Sequence, residues 1–423
     1  MQECERAIKT KNGIDIYYYK NPGLHSFGIS LFLRAGCMFE GENESGITHF
    51  LEHALIRNVN KLEGGQMYSR LDKLGVEFGA STYSEMVQFY VGGSAAHFAF
   101  GADIITKLFS PIVLKSDEVD AERRRIKAEI RESDDKNLLS SFTSEIVYGG
   151  TSLSRSIVGT NASVDRVTAK RLEEYRRRVM TSGGVFFYVT GNVSDSDISA
   201  LTECIERYDV PYSPGNENIA PVPSSFGARV CDVYIKNADY TVVRFTFDLD
   251  MSRLTVPKTD LLYDMLLSGY SSRMFVEMSE KKGLFYDISG SVERYRNIGT
   301  FNFSFELKEK DVYEALDITV GILKSVKSGI SEDECTRAGY VDNALMLYDD
   351  QREMNFTFAY DNHIMGQGYS TVRERREVYA SVSAEDLCRA AGEIFRPENL
   401  TLTMKGNKKH IDKERIKEII RRL

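Results

Sequence analysis

Alternation of apolar and polar residues predicts strands in both halves of the chain. Residues 86–94 (MVQFYVGGS) and 299–307 (GTFNFSFEL) alternate as half-buried antiparallel strands do. Residues 26–36 and 241–250 are runs rich in β-formers, placed early in their halves. Because helix-like segments separate these strands, the pattern predicts an α+β protein.

The order of elements is similar in the two halves. In each half the alternating strand follows a helix-like segment and a glycine, at residues 70–78 (RLDKLGVEF) and 278–286 (MSEKKGLFY). An ancient internal duplication explains this order. Two unrelated α+β domains that share it by chance explain it equally well, and these residues alone leave both explanations open.

A cluster of prolines near the midpoint predicts the boundary between two domains. Proline fixes φ and has no N–H to donate, so residues 209–228 are expected to form an extended linker. The predicted domains are therefore residues 1–208 and 229–423, each of ordinary domain size. Four of the eight prolines lie in the linker: Pro211, Pro214, Pro221 and Pro223.

Composition excludes some classes of function. The net charge of −8 argues against nucleic acid as a main partner, because phosphate binding needs a basic surface. No apolar run is long enough to cross a bilayer, and the N-terminal residues resemble neither a signal peptide nor a transit peptide. The six cysteines are widely scattered, as is typical of reduced thiols. A cytoplasmic location is expected.

The pattern H-F-L-E-H at residues 49–53 carries candidate metal chemistry. His49 and His53 are four residues apart, so on a helix their imidazoles share one face and can bind one zinc ion. Glu52 lies on the flank of that face, where its carboxylate can take a proton from a water on the metal. The alternative is an amphipathic helix that carries two histidines by chance, and catalytic zinc needs a third protein ligand.

A carboxylate for that third position is predicted from residues 116–133. Glu122 and Glu129 fall in the stripe that Val119 and Ile126 define, where apolar residues are expected. A buried carboxylate needs a cation or strong donors, and a zinc ion provides them. The alternative is that both glutamates lie at the edge of the stripe and pair with cations of their own helix: Arg123, Arg125 or Lys127.

At these residues the chain resembles the pitrilysin/insulinase family of metallopeptidases, whose H-x-x-E-H motif precedes a zinc-binding glutamate by some seventy residues. Glu129 follows His53 by 129 − 53 = 76 residues, and Glu122 precedes Glu129 by seven. The resemblance implies that His49, His53 and Glu129 are the ligands of one zinc ion per chain. It also implies that Glu52 is the general base and Glu122 a supporting carboxylate.

The resemblance extends over most of the chain. Residues 71–91 are similar to the family's active-site edge strand, which implies that Gly79, Ala80 and Thr82 bind substrate. Residues 269–292 are similar to the signature of its C-terminal domain, which implies a catalytic role for Tyr286 opposite the zinc. The alternative for Tyr286 is packing in a strand. Two positions depart from the family: Gly79 replaces the usual asparagine, and Ser279 replaces an arginine for which Arg273 and Lys281 are candidate substitutes.

The resemblance implies an α+β fold of two homologous domains, each an antiparallel β-sheet packed against helices, which face each other around a cavity. The implied function is that of a zinc-dependent endopeptidase that cleaves peptides or unfolded segments. The alternative is a weakly active or non-catalytic partner subunit that binds peptide for another chain. A homodimer or a heterodimer with a related chain is expected, and no nucleic acid or membrane partner.

Overall fold

A computed structural model describes residues 4–136, 138–229, 233–335 and 351–423. The described residues form two compact units, and the division along the chain falls after Asn218. Each unit is built on one β-sheet with helices. Residues 209–223, which include the four clustered prolines, form neither helix nor strand.

The sheet of the first unit has six described strands: β1 (Arg6–Lys9), β2 (Asp15–Lys20), β3 (Ser26–Leu33), β4 (Glu77–Thr82), β5 (Val87–Ser94) and β6 (Val185–Gly191). Their order is β1-β2-β6-β3-β5-β4. Every neighbouring pair is antiparallel except β2 and β6. β4 is the outer strand, so one side of its backbone is unpaired within the described sheet.

The sheet of the second unit has five described strands: β7 (Val233–Asn237), β8 (Thr241–Asp250), β9 (Ile288–Arg294), β10 (Ile298–Leu307) and β11 (Leu400–Gly406). Their order is β7-β11-β8-β10-β9, and only β7 and β11 are parallel. This is the order of β2-β6-β3-β5-β4 in the first sheet, which supports the duplication. Each sheet is antiparallel, as expected, except at this one parallel pair, because a long helical connection lets the last strand enter in either direction.

Helices flank both sheets. In the first half of the chain they are α1 (Ile47–Leu62), α2 (Met67–Leu74), α3 (Phe98–Thr106), α4 (Ser116–Lys136), α5 (Leu138–Val147), α6 (Asn161–Asp165), α7 (Ala169–Val179) and α8 (Asp195–Glu206). In the second half the described helices are α9 (Val256–Leu267), α10 (Val312–Ser328), α11 (Glu332–Cys335), α12 (Gln351–Ala359), α13 (Val372–Ala380), α14 (Ala384–Ile394) and α15 (Lys413–Ile420).

The main core of the first unit lies between its sheet and α1. Phe50, Ala54 and Leu55 of α1 are fully buried in one apolar cluster with Leu31 and Val91 of the sheet. These positions of α1 recur at helical spacing, so burial of this stripe fixes which way the helix faces. The histidine positions of the same helix are thereby turned toward α4, against which α1 also packs.

Two helical segments are exchanged between the halves of the sequence. Each packs on the sheet that is formed by the opposite half. Residues 351–372 belong to the first unit, where Met354 and Phe358 of α12 pack on Phe32 and Tyr188. Residues 138–154 belong to the second unit, where Thr143 of α5 bonds Thr403 Oγ1 at 2.6 Å. The predicted contiguous domains 1–208 and 229–423 did not include this exchange. An amphipathic pattern shows that a helix covers a sheet, but not which sheet.

The exchange also changes the environment of β10. Its sequence predicts a half-buried strand, yet Thr300 and Asn302 are as buried as Phe301 and Phe303 on the opposite face. The segment that contains α5 lies on this polar face, where Thr143 bonds Thr403 of β11. A third layer therefore covers a face that the alternation predicts to be open to solvent.

None of the described helices has the length and apolar character required to cross a membrane. Among the described residues, Cys4, Cys37, Cys204 and Cys388 are free thiols. Burial raises the pKa of the Cys37 thiol to about 12, so this thiol is protonated and unreactive at neutral pH. Cys231 and the side chain of Cys335 lie outside the described residues.

Candidate metal centre

A carboxylate fixes the start of α1 and with it the two histidines. Glu40 accepts hydrogen bonds from the backbone N–H groups of Gly46 and Thr48, each at 2.9 Å. Gly46 has φ of 80°, and a Cβ there would lie 2.7 Å from the Gly159 backbone, so glycine is required at this entry. The loop before the motif thus satisfies the free N–H groups of the helix.

His49, His53 and Glu129 form the one described group of side chains that can hold a metal ion. Their ligand atoms lie within 4.8 Å of one another. Glu129 Oε1 is 3.4 Å from His49 Nε2, and Glu129 Oε2 is 3.6 Å from His53 Nε2. Tetrahedral zinc, with bonds of about 2.1 Å, separates neighbouring ligand atoms by about 3.4 Å. Two imidazoles and a carboxylate at this spacing fit zinc.

Glu122 and Glu129 reach this site from α4. Val119 and Ile126 are buried, as the stripe predicts, and Glu122 is buried with them at 1% exposure. The Glu129 side chain is 45% exposed and lies at the edge of the stripe, toward the histidines. The two glutamates therefore differ in environment, although both follow the same helical spacing.

Glu122 contacts the His53 ring at Nδ1, the nitrogen that does not face Glu129. It lies 3.2 Å from His53 Nδ1 and accepts a hydrogen bond of 2.5 Å from Arg57. A carboxylate on the second ring nitrogen orients an imidazole so that Nε2 faces a metal. Sequence reasoning missed Arg57, although its position four residues after His53 on the same helix was a usable signal.

The alternative pairing within α4 accounts for little of this arrangement. Arg125 approaches Glu122 at 3.4 Å, farther than Arg57 does. Arg123 pairs with Asp120, and Lys127 pairs with Asp165 at 2.6 Å. Within the described structure neither Arg123 nor Lys127 pairs with Glu122 or Glu129, so α1 and not α4 supplies the main partners.

Charge at the site is strongly coupled. Burial alone would raise the pKa of Glu122, but hydrogen bonds from His53 and Arg57 lower it to about 2. Burial alone would lower the pKa of His53, but Glu122 and Glu129 raise it to about 9. The hydrogen bonds of His49 and His53 hold the pKa of Glu129 well below its usual range. Both carboxylates are therefore ionised at neutral pH, as metal binding requires.

Glu52 lies beside the metal group without joining it. Its side chain is 8% exposed, and its Oε2 accepts a hydrogen bond of 2.5 Å from Thr82 Oγ1. This bond fixes the carboxylate between α1 and the end of β4. A carboxylate held next to, but outside, the ligand set is placed as a general base needs to be.

β4, the outer strand of the described sheet, lies next to this carboxylate. Gly79 pairs with Tyr90 of β5, and Thr82 pairs with Val87. Side chains alternate along β4, so Ala80 and Thr82 face α1 while Gly79 and Ser81 face the opposite side. A Cβ added at Gly79 would meet no atom within 4 Å, so the face of the strand is open at this residue. The predicted substrate-binding residues Gly79, Ala80 and Thr82 thus lie together on the outer strand of the described sheet, and their role stays a prediction.

Two family models match successive parts of the chain. The model described as Insulinase (Peptidase family M16) matches residues 16–161, which contain both histidines and the three glutamates. The model described as Peptidase M16 inactive domain matches residues 166–338. The chain belongs to peptidase family M16. The predicted resemblance to the pitrilysin/insulinase family is thereby confirmed.

Relatives of similar length carry names of the same class. The chain is 24% identical over 410 residues to an uncharacterized zinc protease of Rickettsia felis, which covers 93% of this chain and 96% of the relative. It is 23% identical over 291 residues to the uncharacterized zinc protease YmxG of Bacillus subtilis, which covers 68% of this chain and 70% of that one. Among M16 proteins, the chain thus has bacterial relatives named as zinc proteases.

Solved structures share the fold of this chain. A protease from Helicobacter pylori aligns with a TM-score of 0.82 at 18% identity, over 96% of this chain and 99% of the other. A peptidase M16 inactive domain from Pseudomonas fluorescens aligns with a TM-score of 0.81 at 16% identity, over 96% and 98%. At this identity the likeness supports the two-domain M16 fold alone.

Tyr286 of this M16 chain is 96% exposed, in the segment before β9. Packing in a strand, the alternative for this residue, is therefore excluded. Ser279, in the helical stretch Phe275–Glu280, donates to the Phe285 carbonyl at 2.9 Å and so fixes that segment. Both residues belong to the second unit. The catalytic role of Tyr286 stays a prediction.

The two candidate substitutes for the missing M16 arginine have other partners. Arg273 pairs with Glu334 at 2.7 Å and donates to the Gly329 carbonyl at 2.9 Å, which ties α10 to α11. Lys281 pairs with Glu277, four residues earlier, at 2.6 Å. Each cation therefore has a local structural role in the second unit.

Proposed function

We propose that this M16 chain is a zinc-dependent endopeptidase that holds one zinc ion per chain and cleaves peptides or unfolded segments. The observation that carries the proposal is the group His49, His53 and Glu129 at zinc-ligand spacing, with Glu52 held beside it. Zinc, when bound there, acidifies water and polarises the scissile carbonyl. Membership of the M16 family does not by itself distinguish an active peptidase from a chain that has lost its metal site, but the presence of all three ligands and of Glu52 favours activity.

Glu52 is the general base in this proposal. Its carboxylate takes a proton from the attacking water, and the same proton is then available for the leaving amine nitrogen. The hydrogen bond from Thr82 holds Glu52 toward the end of β4. A peptide on that strand edge therefore places a scissile bond within reach of Glu52.

The substrate class follows from the free edge of β4. An extended peptide that pairs with this edge gains main-chain hydrogen bonds, which do not depend on sequence. Only chains without their own secondary structure offer a free backbone for this pairing. Flexible peptides and unfolded segments are therefore the expected substrates, and folded proteins are not.

A mixed peptide library tests the proposal. We expect cleavage by the zinc-loaded wild type and a loss of about 100-fold or more in Glu52→Gln, since general-base catalysis contributes about 100- to 10,000-fold. Metal analysis should find one zinc per chain, reduced in His49→Ala and in Glu129→Gln. A protein purified without chelators that holds no zinc, or equal cleavage by Glu52→Gln, would contradict the proposal.

A second candidate is a partner subunit that binds peptide for another chain. The match of residues 166–338 to a domain described as inactive, and Ser279 in place of an arginine, favour it. Retention of zinc without cleavage of any library peptide, in a chain that elutes with a second protein, would support this candidate. Cleavage by the isolated chain, alone or as a homodimer, would exclude it.

A further inference from the structure

A groove lies behind β4, on the face of the sheet opposite to the metal group. Its volume is about 440 Å³, and strands β4 and β5 form one wall while α12 forms the other. The metal ligands and Glu52 are absent from its lining. The side chains that shape it are Tyr83, Tyr90, Arg352, Glu353 and Phe356.

Arg352 is the cation among the described residues that line this groove. Two contacts hold its guanidinium in place. Its guanidinium lies over the Tyr90 ring, 5.2 Å from the ring centroid. Its Nη1 is 3.2 Å from Glu77 Oε2, at the first residue of β4. Stacking and an ion pair together hold the planar fork at the edge strand, which reduces the entropy lost when it binds an anion.

Glycines make this position possible. A Cβ at Gly92 would lie 2.3 Å from the Tyr90 hydroxyl, and one at Gly28 would lie 3.1 Å from its ring. The ring therefore lies along the sheet over residues that have no side chain. Gly79, directly opposite Tyr90 in the register, leaves the space beside the guanidinium open.

A peptide paired with β4 would direct alternate side chains to the two faces of the sheet. Those on one face point toward Glu52, as Thr82 does. Those on the other face stand beside Gly79 and Ser81 and enter the groove. A peptide residue whose side chain enters the groove is therefore adjacent in sequence to residues whose side chains point toward Glu52 and the metal group.

We propose that this groove selects an acidic side chain of the peptide and that Arg352 is the residue that determines this specificity. The inference rests on the proposed peptidase function and names its substrate class more closely. A guanidinium fork matches a carboxylate through two parallel N–H···O bonds. Ser81 and Gln88 add polar groups to the wall, while the rings of Tyr83 and Phe356, 5.6 Å apart, supply apolar surface.

Two carboxylates near Arg352 allow a more specific prediction about the charge preference of the groove. Glu77 is already paired with the guanidinium, and Glu353 follows Arg352 on α12 and accepts a hydrogen bond from Thr357 at 3.4 Å. Without the guanidinium, Glu353 in the lining and Glu77 beside it would leave the groove acidic. Removal of Arg352 should therefore reverse the preference toward a basic side chain, and not merely abolish it.

Peptide binding to the zinc-loaded Glu52→Gln protein tests the inference without turnover. The probes are fluorescein-labelled nonapeptides of alanine and serine that carry Glu, Gln or Lys at each position in turn. We expect one position at which Glu binds about tenfold more tightly than Gln, as a charge-assisted pair provides. Adding Arg352→Gln should remove this ratio and favour Lys at the same position.

Two further variants separate specificity from folding. Glu77→Arg combined with Arg352→Glu keeps the ion pair but reverses the charge on α12, so it should prefer Lys. Arg207→Gln, at an exposed arginine after α8, should leave the Glu/Gln ratio unchanged. Equal binding of Glu and Gln peptides, or a preference that survives Arg352→Gln, overturns the inference while cleavage by the wild type still supports the peptidase. Failure of every peptide to bind or to be cleaved overturns both.

Discussion

Single residues around Glu122 decide how firmly the metal group is held. Glu122 is buried, and Arg57 and His53 approach its two oxygens from α1. An unpaired buried carboxylate is costly, so Arg57 keeps Glu122 ionised and in place. His53 then presents Nε2 to the same point as His49 and Glu129. The effect of Arg57 on zinc is therefore indirect and passes through Glu122.

Arg57→Ala should weaken zinc binding by about 10- to 100-fold, which is typical for loss of a residue that orients a ligand. Competition with a chromophoric chelator measures this affinity. Arg57→Lys keeps a cation near Glu122 and should lose less. Arg125→Ala removes a more distant and exposed partner and serves as the matched control. Equal losses in Arg57→Ala and Arg125→Ala would contradict the role of Arg57.

The pH dependence of the metal-free protein follows from His53. Its folded pKa is raised to about 9 by Glu122 and Glu129. Since a raised histidine pKa stabilises the fold when the ring is protonated, this contribution is full below the unfolded pKa of about 6.5. It is lost as the pH rises through about 9.

Urea unfolding of the chelator-treated protein from pH 6 to pH 9.5 measures this loss. We expect the free energy of unfolding to fall across the window in the wild type and to fall less in His53→Ala. Zinc displaces the same proton, so apparent zinc affinity should rise over this window. An identical pH profile in His53→Ala would show that other groups cause the change.

Among the elements, α1 depends on the loop that precedes it. Glu40 is buried and accepts two N–H groups at the start of the helix. It thus does for α1 what the side chains of Ser194 and Ser383 do for α8 and α14, which have capping boxes. His49 is the third residue of α1 and lies within the turn that Glu40 caps, so a change at this end of the helix displaces His49 directly.

Glu40→Ala should lower the free energy of unfolding by about 1–2 kcal/mol, as loss of a strong cap does. It should also reduce zinc occupancy, because His49 lies in the first turn. Glu40→Gln keeps one acceptor oxygen and should fall between Glu40→Ala and the wild type. Thermal unfolding with and without zinc measures both effects. An unchanged melting temperature in Glu40→Ala would show that Glu40 does not stabilise the start of α1.

At the scale of the whole molecule, the first unit needs residues from the end of the chain. Asn355 of α12 is fully buried and donates to the Tyr188 carbonyl at 2.9 Å. Around it, Met354 and Phe358 cover large aromatic residues of the sheet, including Phe32 and Phe186. Without α12 this face of the sheet would expose an apolar surface.

A fragment of residues 1–218 should therefore aggregate or bind a hydrophobic dye such as ANS. The same fragment joined through a glycine-serine linker to residues 351–372 should be soluble and show near-ultraviolet circular dichroism. Asn355→Ala in the joined fragment provides a matched control of intermediate stability. Independent folding of residues 1–218, with zinc bound, would contradict this dependence.

Sequence alone determined the features that depend on short-range periodicity. The spacing of His49 and His53 on one helix, and of Glu122 and Glu129 on another, follows from 3.6 residues per turn. The α+β class and the free stretch at residues 209–223 follow from alternation and proline chemistry. The resemblance to a metallopeptidase family added the pairing of the two helices, which periodicity cannot supply.

Only the tertiary structure decided which distant segments meet. It placed Arg57 on Glu122, Thr82 on Glu52 and Arg352 over Tyr90. It also exchanged α5 and α12 between the two halves and made one strand pair in each sheet parallel. The physical reason is that a helix or strand pattern encodes a face to be buried. The partner that buries it is chosen by packing over the whole chain.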